Sequence, residues 1–399
     1  MIPTLIASGG RMAVSVENEQ AILASLLREL HVDPREYQQR IVTKAIQMFA
    51  GRYMNRVGDL EAPSNSVMIE SPTGSGKTVM GLMIAKYLQD TERLKIGWVA
   101  MRRNLLKQTA EENANRGFNV DLKLISMFDK QPPEVDMLIV DEAQHDAATS
   151  MANLHCQLRP KKILGLTATP FRTDRVKLCF DHIIKDAGIH RLIQDGYLSP
   201  FRHYTIPEYT PESVASFFSR EPDRWGKSLV FFHKASDCHQ CCRLLAEAGV
   251  TAEVVTAITD RDRQIADFEN GDIQVLINMN ILTEGFDCPS LQTVFCRPSV
   301  KGCTIQMAGR VLRQCEGVPM KQIVQCTHTK HPFLKTAMPA EQYDWMDGEW
   351  RTLKVNERLV EISNQARLLV SQTAVELPDL VSKHRRKSNP WDMPTSDGL

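Results

Sequence analysis

A glycine-rich loop between a short apolar run and a helical pattern constrains this chain most. Residues 71–78 read SPTGSGKT, follow the β-rich run at 67–70 and precede an apolar helical pattern at 79–88. Gly74 and Gly76 would let backbone N–H groups turn toward one point, and the start of a helix adds the positive end of its dipole there. This order of strand, loop and helix predicts a phosphate-binding loop, here named the phosphate loop (residues 71–78).

The side chains of the phosphate loop suit a nucleoside triphosphate. Lys77 would neutralise the β- and γ-phosphates, and the Thr78 hydroxyl would bind a Mg²⁺ ion that bridges them, so the predicted cofactors are ATP and Mg²⁺. Ser71 stands where the general pattern has glycine, and a glycine-rich turn with a chance Gly-Lys-Thr sequence is the alternative. The residues predicted to hold the phosphates are Thr73, Gly74, Ser75, Gly76, Lys77 and Thr78.

Two carboxylates follow the apolar run at 137–140. Asp141 and Glu142 would lie at the carboxyl edge of a parallel sheet, where open α/β folds bind ligands. Asp141 would then hold Mg²⁺ through water, and Glu142 would orient and deprotonate an attacking water molecule. Taken alone, the pair could equally be a helix N-cap followed by a favourable acid in the first turn.

Short β-rich runs alternate with helical patterns along two stretches of the chain. The runs are 67–70, 96–100, 122–126, 137–141 and 163–167, then 229–233, 253–256, 273–278, 293–296 and 323–325. This alternation predicts an α/β fold with two tandem parallel sheets. A polar, proline-dotted stretch at 200–225 lies between the two series.

Four segments follow from this organisation. They are an N-terminal helical segment (1–33), a first domain that binds ATP (34–199), a second domain (200–340) and a helical or flexible C-terminal tail (341–399). The first rests on apolar residues at helical spacing within 18–30, and the tail on an amphipathic pattern at 353–370 and a basic stretch at 383–387.

Composition excludes some classes of protein but does not identify a binding partner. The 48 basic and 48 acidic side chains give no global attraction to nucleic acid, so a polyanion would need a local groove. Without a signal sequence or an apolar spanning segment, and with only ten cysteines, the chain is expected to be soluble and cytoplasmic, with no membrane contact and reduced thiols. Cys238, Cys241 and Cys242 near His233 and His239 could suggest zinc, but no second close cysteine pair supports it.

In its order of motifs the chain resembles the superfamily 2 helicases. The resemblance covers roughly residues 34–327 and is carried by REYQ at 35–38, VAMRRNLLKQ at 99–108, DEAQ at 141–144, TATPFR at 167–172, TEGFDCP at 283–289 and QMAGRVLR at 306–313. It implies two RecA-like domains and an ATP site at the cleft between them. The enzyme class that it implies is a nucleic-acid-dependent ATPase.

The resemblance also implies roles for residues outside the phosphate loop. Gln38, with Arg35 beside it, would sense adenine, and Arg310 and Arg313 would act as arginine fingers once the two domains close. Taken alone, these two arginines lie at positions i and i+3 of a helix and could be surface charges. The implied set also includes Gly285 and Asp287 at the nucleotide and Gln306 among the catalytic residues.

The particular residues of three motifs favour DNA over RNA as the nucleic acid along which the protein moves. GYLSP at 196–200, with TATPFR and TEGFDCP, is similar to XPB and RadD type repair helicases and to restriction-enzyme motor subunits, which act on DNA. Arg103, Thr169 and Thr283 are the implied contacts to the nucleic-acid backbone, with Arg102 and Lys107 as neighbours. Each could also be a solvated charge or a cap.

The prediction that follows is an ATP-dependent motor, a DNA helicase or double-strand translocase. The chain has no room for a nuclease, so a protein partner such as a nuclease or a repair or replication factor is expected. A nucleotide-gated binding subunit and an RNA helicase are the alternatives. Glu142, Arg310 and Arg313 argue against a switch without turnover, which has no need for a base and two arginine fingers.

Overall fold

The computed structural model describes residues 16–28, 30–55, 57–145, 149–169, 180–283 and 285–353. Its helices are α1 (Val16–Arg28), α2 (Glu36–Ala50), α3 (Lys77–Glu92), α4 (Arg103–Asn115), α5 (Thr149–Leu158), α6 (Ile189–Gln194), α7 (Pro211–Arg220), α8 (Pro222–Trp225), α9 (Ala235–Glu247), α10 (Arg261–Asn270) and α11 (Lys301–Gly309). Short 3₁₀ helices are Ala143–His145 and Phe333–Lys335.

The strands are β1 (Ser66–Glu70), β2 (Ile96–Ala100), β3 (Leu122–Ser126), β4 (Met137–Asp141), β5 (Lys162–Thr167), β6 (His182–Lys185), β7 (Phe201–Ile206), β8 (Ser228–Phe231), β9 (Ala252–Val255), β10 (Val275–Asn278), β11 (Thr293–Phe295), β12 (Lys321–Cys326), β13 (Glu341–Met346) and β14 (Glu349–Leu353). All ten predicted runs are present as strands. None of the helices in the described part of the chain is long and apolar enough to cross a membrane.

The first sheet has six strands in the order β3-β2-β4-β5-β1-β6, and every pairing is parallel. Parallel pairing brings the carboxyl ends of neighbouring strands to one edge of the sheet. The phosphate loop follows β1, Asp141 ends β4 and Thr167 ends β5, which lies between them. The sheet therefore delivers three predicted motifs to the same edge.

The second sheet has eight strands in the order β14-β13-β7-β12-β11-β8-β10-β9. The stretch 200–225, read from the sequence as a polar connection, contains β7, α7 and α8 instead. The pairings of β7 with β12 and β13, and those that continue to β9, are parallel. This is the predicted α/β class with two tandem parallel sheets.

Residues 341–353 form β13 and β14, so the prediction of a helical or flexible tail from 341 is wrong for them. Asp347 and Gly348 between the strands have φ of 52° and 86°, values that suit a two-residue hairpin turn. The Tyr343 ring stacks on Tyr204 of β7 at 4.8 Å between centroids, which explains why this polar segment joins the sheet. The rest of the predicted tail lies outside the described residues.

Apolar packing continues from one domain to the other. A single buried cluster includes Ile41 of α2 and Ile69 of β1, and also Leu312 and Ile323 of the second domain. A backbone hydrogen bond joins the end of the first domain to the second as well, since Ser199 N donates to the carbonyl of Leu312 at 2.8 Å. The two sheets are thus held together by buried surface.

Lys321, at the start of β12, is a fully buried lysine that supports the segment after residue 288. Its ammonium group donates to the carbonyl oxygens of Pro289 and Leu291, both at 2.7 Å. Burial lowers the pKa of Lys321 to about 8, because the charged form loses its hydration.

This burial predicts a pH-dependent stability. In the unfolded chain lysine titrates near its ordinary pKa of about 10.4, so between about pH 8 and pH 10.4 the unfolded state binds more protons than the folded state. In that pH window, the free energy of unfolding of the wild-type protein should therefore rise by about 1 to 3 kcal/mol more than that of Lys321→Met. Denaturant unfolding of both proteins at pH 8 and pH 10 measures this difference, and Lys335→Met, at an exposed position, should show none. A difference that does not change with pH would contradict the expectation.

Candidate functional site

The phosphate loop is held in shape by its own polar groups. The Ser71 hydroxyl donates to Ser75 Oγ at 2.7 Å, and Ser75 N donates to the carbonyl of Pro72 at 3.2 Å. Gly74 and Gly76 have φ of 80° and 77°, in the left-handed region that glycine enters without a steric penalty. The loop therefore adopts the conformation for which its glycines were predicted.

Gln38 and Tyr37 of α2 fix the phosphate loop from outside. Gln38 Nε2 and the Tyr37 hydroxyl both donate to the carbonyl of Ser75, at 2.8 and 2.6 Å. Gln38 Oε1 accepts from Arg35 N at 3.0 Å, and the Arg35 guanidinium lies 4.9 Å from the centre of the Tyr197 ring. The structure thus assigns Gln38 a contact with the loop, while its contact with adenine stays a prediction.

Gly76→Ala is expected to weaken ATP binding by more than tenfold. A Cβ atom at this position would lie 2.4 Å from Gln38 Nε2 and would displace the side chain that holds Ser75. Gly249→Ala is the matched control, because Gly249 has φ of 80° with no atom within 4 Å of the added Cβ. Both variants should lose about 1 to 2 kcal/mol of stability from the left-handed backbone. Titration with a fluorescent ATP analogue separates them, and equal affinities would contradict the role of Gln38.

The charged residues predicted at the ATP site in both domains act electrostatically on Lys77. Burial lowers the pKa of its ammonium group, while the Glu142 and Asp141 carboxylates raise it and the Arg310 and Arg313 guanidinium groups lower it further. All four side chains therefore lie within electrostatic range of Lys77. The ammonium group itself contacts two carbonyl oxygens of the phosphate loop at 3.3 and 3.4 Å. Lys77 is partly buried, and a partly buried cation of this kind fits an anionic ligand.

Glu142 is tied to the next strand by a chain of hydrogen bonds that the sequence did not reveal. Gln144 Nε2 donates to Glu142 Oε2 at 3.0 Å, and the Thr167 hydroxyl donates to Gln144 Oε1 at 2.6 Å. The same hydroxyl accepts from Thr169 N at 3.0 Å. Glu142 has φ of 51°, a left-handed conformation that is uncommon for glutamate, and its N–H donates to Asp141 Oδ1 at 3.0 Å. The sequence feature that could have indicated these hydrogen bonds is Gln144, the last residue of the DEAQ motif.

The arginines of the second domain make contacts within that domain. Arg310 is buried, and its guanidinium group donates to the carbonyl of Phe286 at 3.0 Å and to that of Thr283. Arg313 forms an ion pair with Asp287, which was predicted to lie at the nucleotide. Both arginines are thereby oriented from the segment that precedes α11.

Close approaches show how α11 and its flanks meet the first domain. Gly309 lies against Thr73 of the phosphate loop, where an added Cβ would be 3.2 Å from Thr73 Cβ. Gly285 lies against Leu105 of α4, and Arg102 Nη1 donates to the carbonyl of Ile281 at 2.7 Å. Gln306, predicted to be catalytic, is partly buried on α11, and Thr78 is partly buried at the start of α3.

The three predicted contacts to nucleic acid fall in different environments. Arg103 is exposed at the start of α4. Thr169 and Thr283 are buried, at 9% and 7% exposure, and the Thr283 hydroxyl donates to the carbonyl of Asn280 at 2.5 Å. Lys107 is exposed beside Glu111, at 3.7 Å. The remaining residues of TATPFR (170–172) and the glutamate of TEGFDCP lie outside the described part of the chain.

The cysteine-rich helix α9 has the character of a core element. Cys238 and Cys241 are buried, and burial raises the pKa of the Cys238 thiol to about 11. A metal would need thiolates, which these surroundings disfavour. His233 Nε2 lies 2.9 Å from the carbonyl of Pro298 instead. The nine cysteines that the structure describes are all unbridged.

Two family models match the chain, one in each domain. Residues 31–126 match the Type III restriction enzyme, res subunit, and residues 211–315 match the helicase conserved C-terminal domain. A 51.5 kDa protein of a Lactococcus phage is 26% identical over 267 residues, which cover 58% of this chain and 59% of that protein. The putative ATP-dependent helicase IRC3 of Saccharomyces cerevisiae is 25% identical over 220 residues, 45% of this chain and 32% of its own. The chain thus spans less than two thirds of the length of the first relative and about a third of the second.

Solved structures share the fold at low sequence identity. Dbp5 of S. cerevisiae, bound to RNA and ADP BeF₃, is 16% identical with a TM-score of 0.56, covering 82% of this chain and 93% of that one. The ATP-dependent Type ISP restriction-modification enzyme LlaBIII bound to DNA is 15% identical with a TM-score of 0.54, covering 75% of this chain and 28% of that one. With the two family models, these likenesses confirm two tandem RecA-like domains. The two family models and the helicase relative support a superfamily 2 helicase or restriction-enzyme motor.

Proposed function

We propose that the protein hydrolyses ATP at the edge between its two domains and uses the cycle to move along DNA. The observation that carries this proposal is the close approach of the two domains at the phosphate loop, where an added Cβ on Gly309 would lie 3.2 Å from Thr73 Cβ and one on Gly74 would lie 3.4 Å from Arg313 Cγ. The charges of Asp141, Glu142, Arg310 and Arg313 also act on Lys77. A binding switch needs only the phosphate loop. The base and the two cations from across the cleft supply what turnover needs.

Each residue has a separate task in the proposed reaction. Glu142 takes a proton from the water that attacks the γ-phosphate, and Gln144 holds the Glu142 carboxylate in place through its hydrogen bond at 3.0 Å. Lys77, Arg310 and Arg313 stabilise the charge that spreads over the phosphoryl oxygens. Closure of the two domains excludes water from this set and completes it.

Thr78 and Asp141 are the residues that would hold a magnesium ion. Thr78 opens α3 after the phosphate loop and Asp141 ends β4, so both belong to the carboxyl edge of the first sheet. Hydroxyl and carboxylate oxygens are ligands that Mg²⁺ prefers. When bound, the ion would neutralise phosphate charge during the transfer.

DNA is the proposed nucleic acid along which the protein moves, because of the proteins to which the chain is similar. One matching model is named for a restriction enzyme, and the restriction-modification structure with the same fold is bound to DNA. RNA is the alternative, because the Dbp5 structure with the same fold is bound to RNA. Thr169 and Thr283 are buried here, so their contact with a backbone would require the cleft to change its opening. A protein partner such as a nuclease or a repair factor belongs to the same proposal.

The decisive experiment compares ATP hydrolysis without nucleic acid and with matched single-stranded DNA, duplex DNA and RNA at fixed salt. We expect DNA to stimulate turnover most, with a strong dependence on salt because the contacts are to phosphates. Lys77→Ala, which removes the cation of the phosphate loop, sets the background. If no nucleic acid changed the rate, the motor proposal would fail, and equal stimulation by RNA would remove the preference for DNA.

A further inference from the structure

An exposed phenylalanine stands at the carboxyl edge of the first sheet. Phe128 follows β3, and 62% of it is open to solvent. The turn that carries it is well defined, since Phe128 N donates to Ser126 Oγ at 3.3 Å and Asp129 N donates to the carbonyl of Ser126 at 2.9 Å. Ser126 N donates in turn to the Asp129 carboxylate at 2.8 Å. The ring is therefore presented on a structured turn.

A second exposed apolar residue follows the neighbouring strand, β2. Met101 follows β2 and is 39% exposed. The last residues of β2 and β3, Ala100 and Ser126, are register partners, and Met127 N donates to the carbonyl of Ala100 at 3.3 Å. Met101 and Phe128 therefore follow the ends of two neighbouring parallel strands, at the same edge of the sheet.

A loop of the second domain also carries an exposed apolar residue. Ile258 is 95% exposed in the loop between β9 and α10, and its N–H donates to Thr256 Oγ1 at 3.3 Å. Arg261 begins the following helix and lies within electrostatic range of Arg102, which immediately follows Met101. Arg261 Nη2 also donates to the carbonyl of Gly285 at 3.2 Å, and Gly285 lies against Leu105 of α4, so the start of α10 lies near the start of α4.

Cations flank these apolar groups. Arg103 and Lys130 are exposed, one at the start of α4 and the other two residues beyond Phe128. A single exposed apolar residue is ordinary on a protein surface. An aromatic ring on a structured turn, with one exposed cation two residues further along the chain and another after the neighbouring strand, has the composition of a surface that binds single-stranded nucleic acid.

We infer that Phe128 stacks on an unpaired base of the bound strand. This inference rests on the proposed function and adds the form of the substrate. In a continuous duplex the flat faces of the bases are covered by their neighbours, so a ring of this kind gains nothing there. The motor therefore engages a single-stranded segment, by base stacking as well as by backbone contact.

Phe128→Ala should weaken binding of a single-stranded oligonucleotide by about tenfold, the lower part of the range that loss of one stacked base produces. Binding of a blunt duplex and ATP turnover without nucleic acid should stay unchanged. Phe128→Trp should restore affinity, and its added fluorescence should be quenched when the single strand binds. Leu124→Ala is the control, because Leu124 is also 39% exposed but lies within β3. Fluorescence anisotropy with labelled oligothymidylate and labelled duplex measures all four proteins.

The outcomes separate this inference from the proposal on which it rests. If the wild-type protein binds single strands and Phe128→Ala binds them equally well, the stacking role is wrong and the motor proposal stands. An equal loss on single strand and duplex would likewise overturn the inference, because it would indicate a contact that does not need unpaired bases. If the wild-type protein binds no nucleic acid, the proposed function itself fails.

Discussion

Glu142→Gln should lower kcat for ATP hydrolysis by about two to four orders of magnitude and leave ATP affinity within a few-fold of the wild type. The substitution removes the base that would take the proton from water but keeps the shape of the side chain. Its amide oxygen can still accept from Gln144 Nε2, as Glu142 Oε2 does at 3.0 Å. Steady-state turnover and titration with a fluorescent ATP analogue give the two quantities separately.

The control for this variant is Glu134→Gln, because Glu134 is exposed and lies outside the site. It loses one negative charge as Glu142→Gln does, so a general effect of charge would appear in both. If Glu142→Gln lost affinity in proportion to kcat, Glu142 would be a binding residue and not a base. If it kept wild-type turnover, the assignment of the base would be wrong.

The sequence predicted strands where β-rich apolar residues follow one another in short runs. The runs in β1, β2 and β4 are apolar at almost every position, as expected for strands covered on both faces. It missed β7, whose Arg202 and His203 interrupt the apolar pattern. Arg202 pairs with Glu341 of β13, and buried His203 lies 3.1 Å from Gln325 of β12, so the partners that make β7 a strand come from distant parts of the chain.

At the site, too, the sequence predicted local features but not the contacts between distant segments. Gly74 and Gly76 were predicted, from the order of strand, loop and helix, to let backbone N–H groups turn toward the phosphates, and their left-handed φ values are a local feature of the loop. The hydrogen bond from Gln38 to Ser75 and the bond from Thr167 to Gln144 join segments that are far apart in sequence. Such pairings depend on the order of the strands in the sheet, which the motifs alone do not specify.

Arg310→Lys should reduce kcat at saturating ATP by about a thousandfold, the lower end of the range for arginine fingers. Arg310 holds the carbonyls of Phe286 and Thr283 with two guanidinium nitrogens and lies within electrostatic range of Lys77. Lysine keeps the charge but presents it as a single point, so it cannot hold this segment and also place charge at the γ-phosphate. Turnover is measured with and without DNA, beside thermal unfolding of the same protein.

Thermal unfolding decides how a loss of turnover is to be interpreted, because Arg310 is buried and also supports residues 283–286. The matched control is Arg263→Lys, since Arg263 pairs with Glu253 and Asp267 on the surface of the same domain and should leave kcat unchanged. A catalytic role requires the thousandfold loss in a protein that still unfolds cooperatively and binds ATP. Wild-type turnover in Arg310→Lys would restrict Arg310 to supporting its own domain, and Arg313 alone would then have to supply the charge from across the cleft.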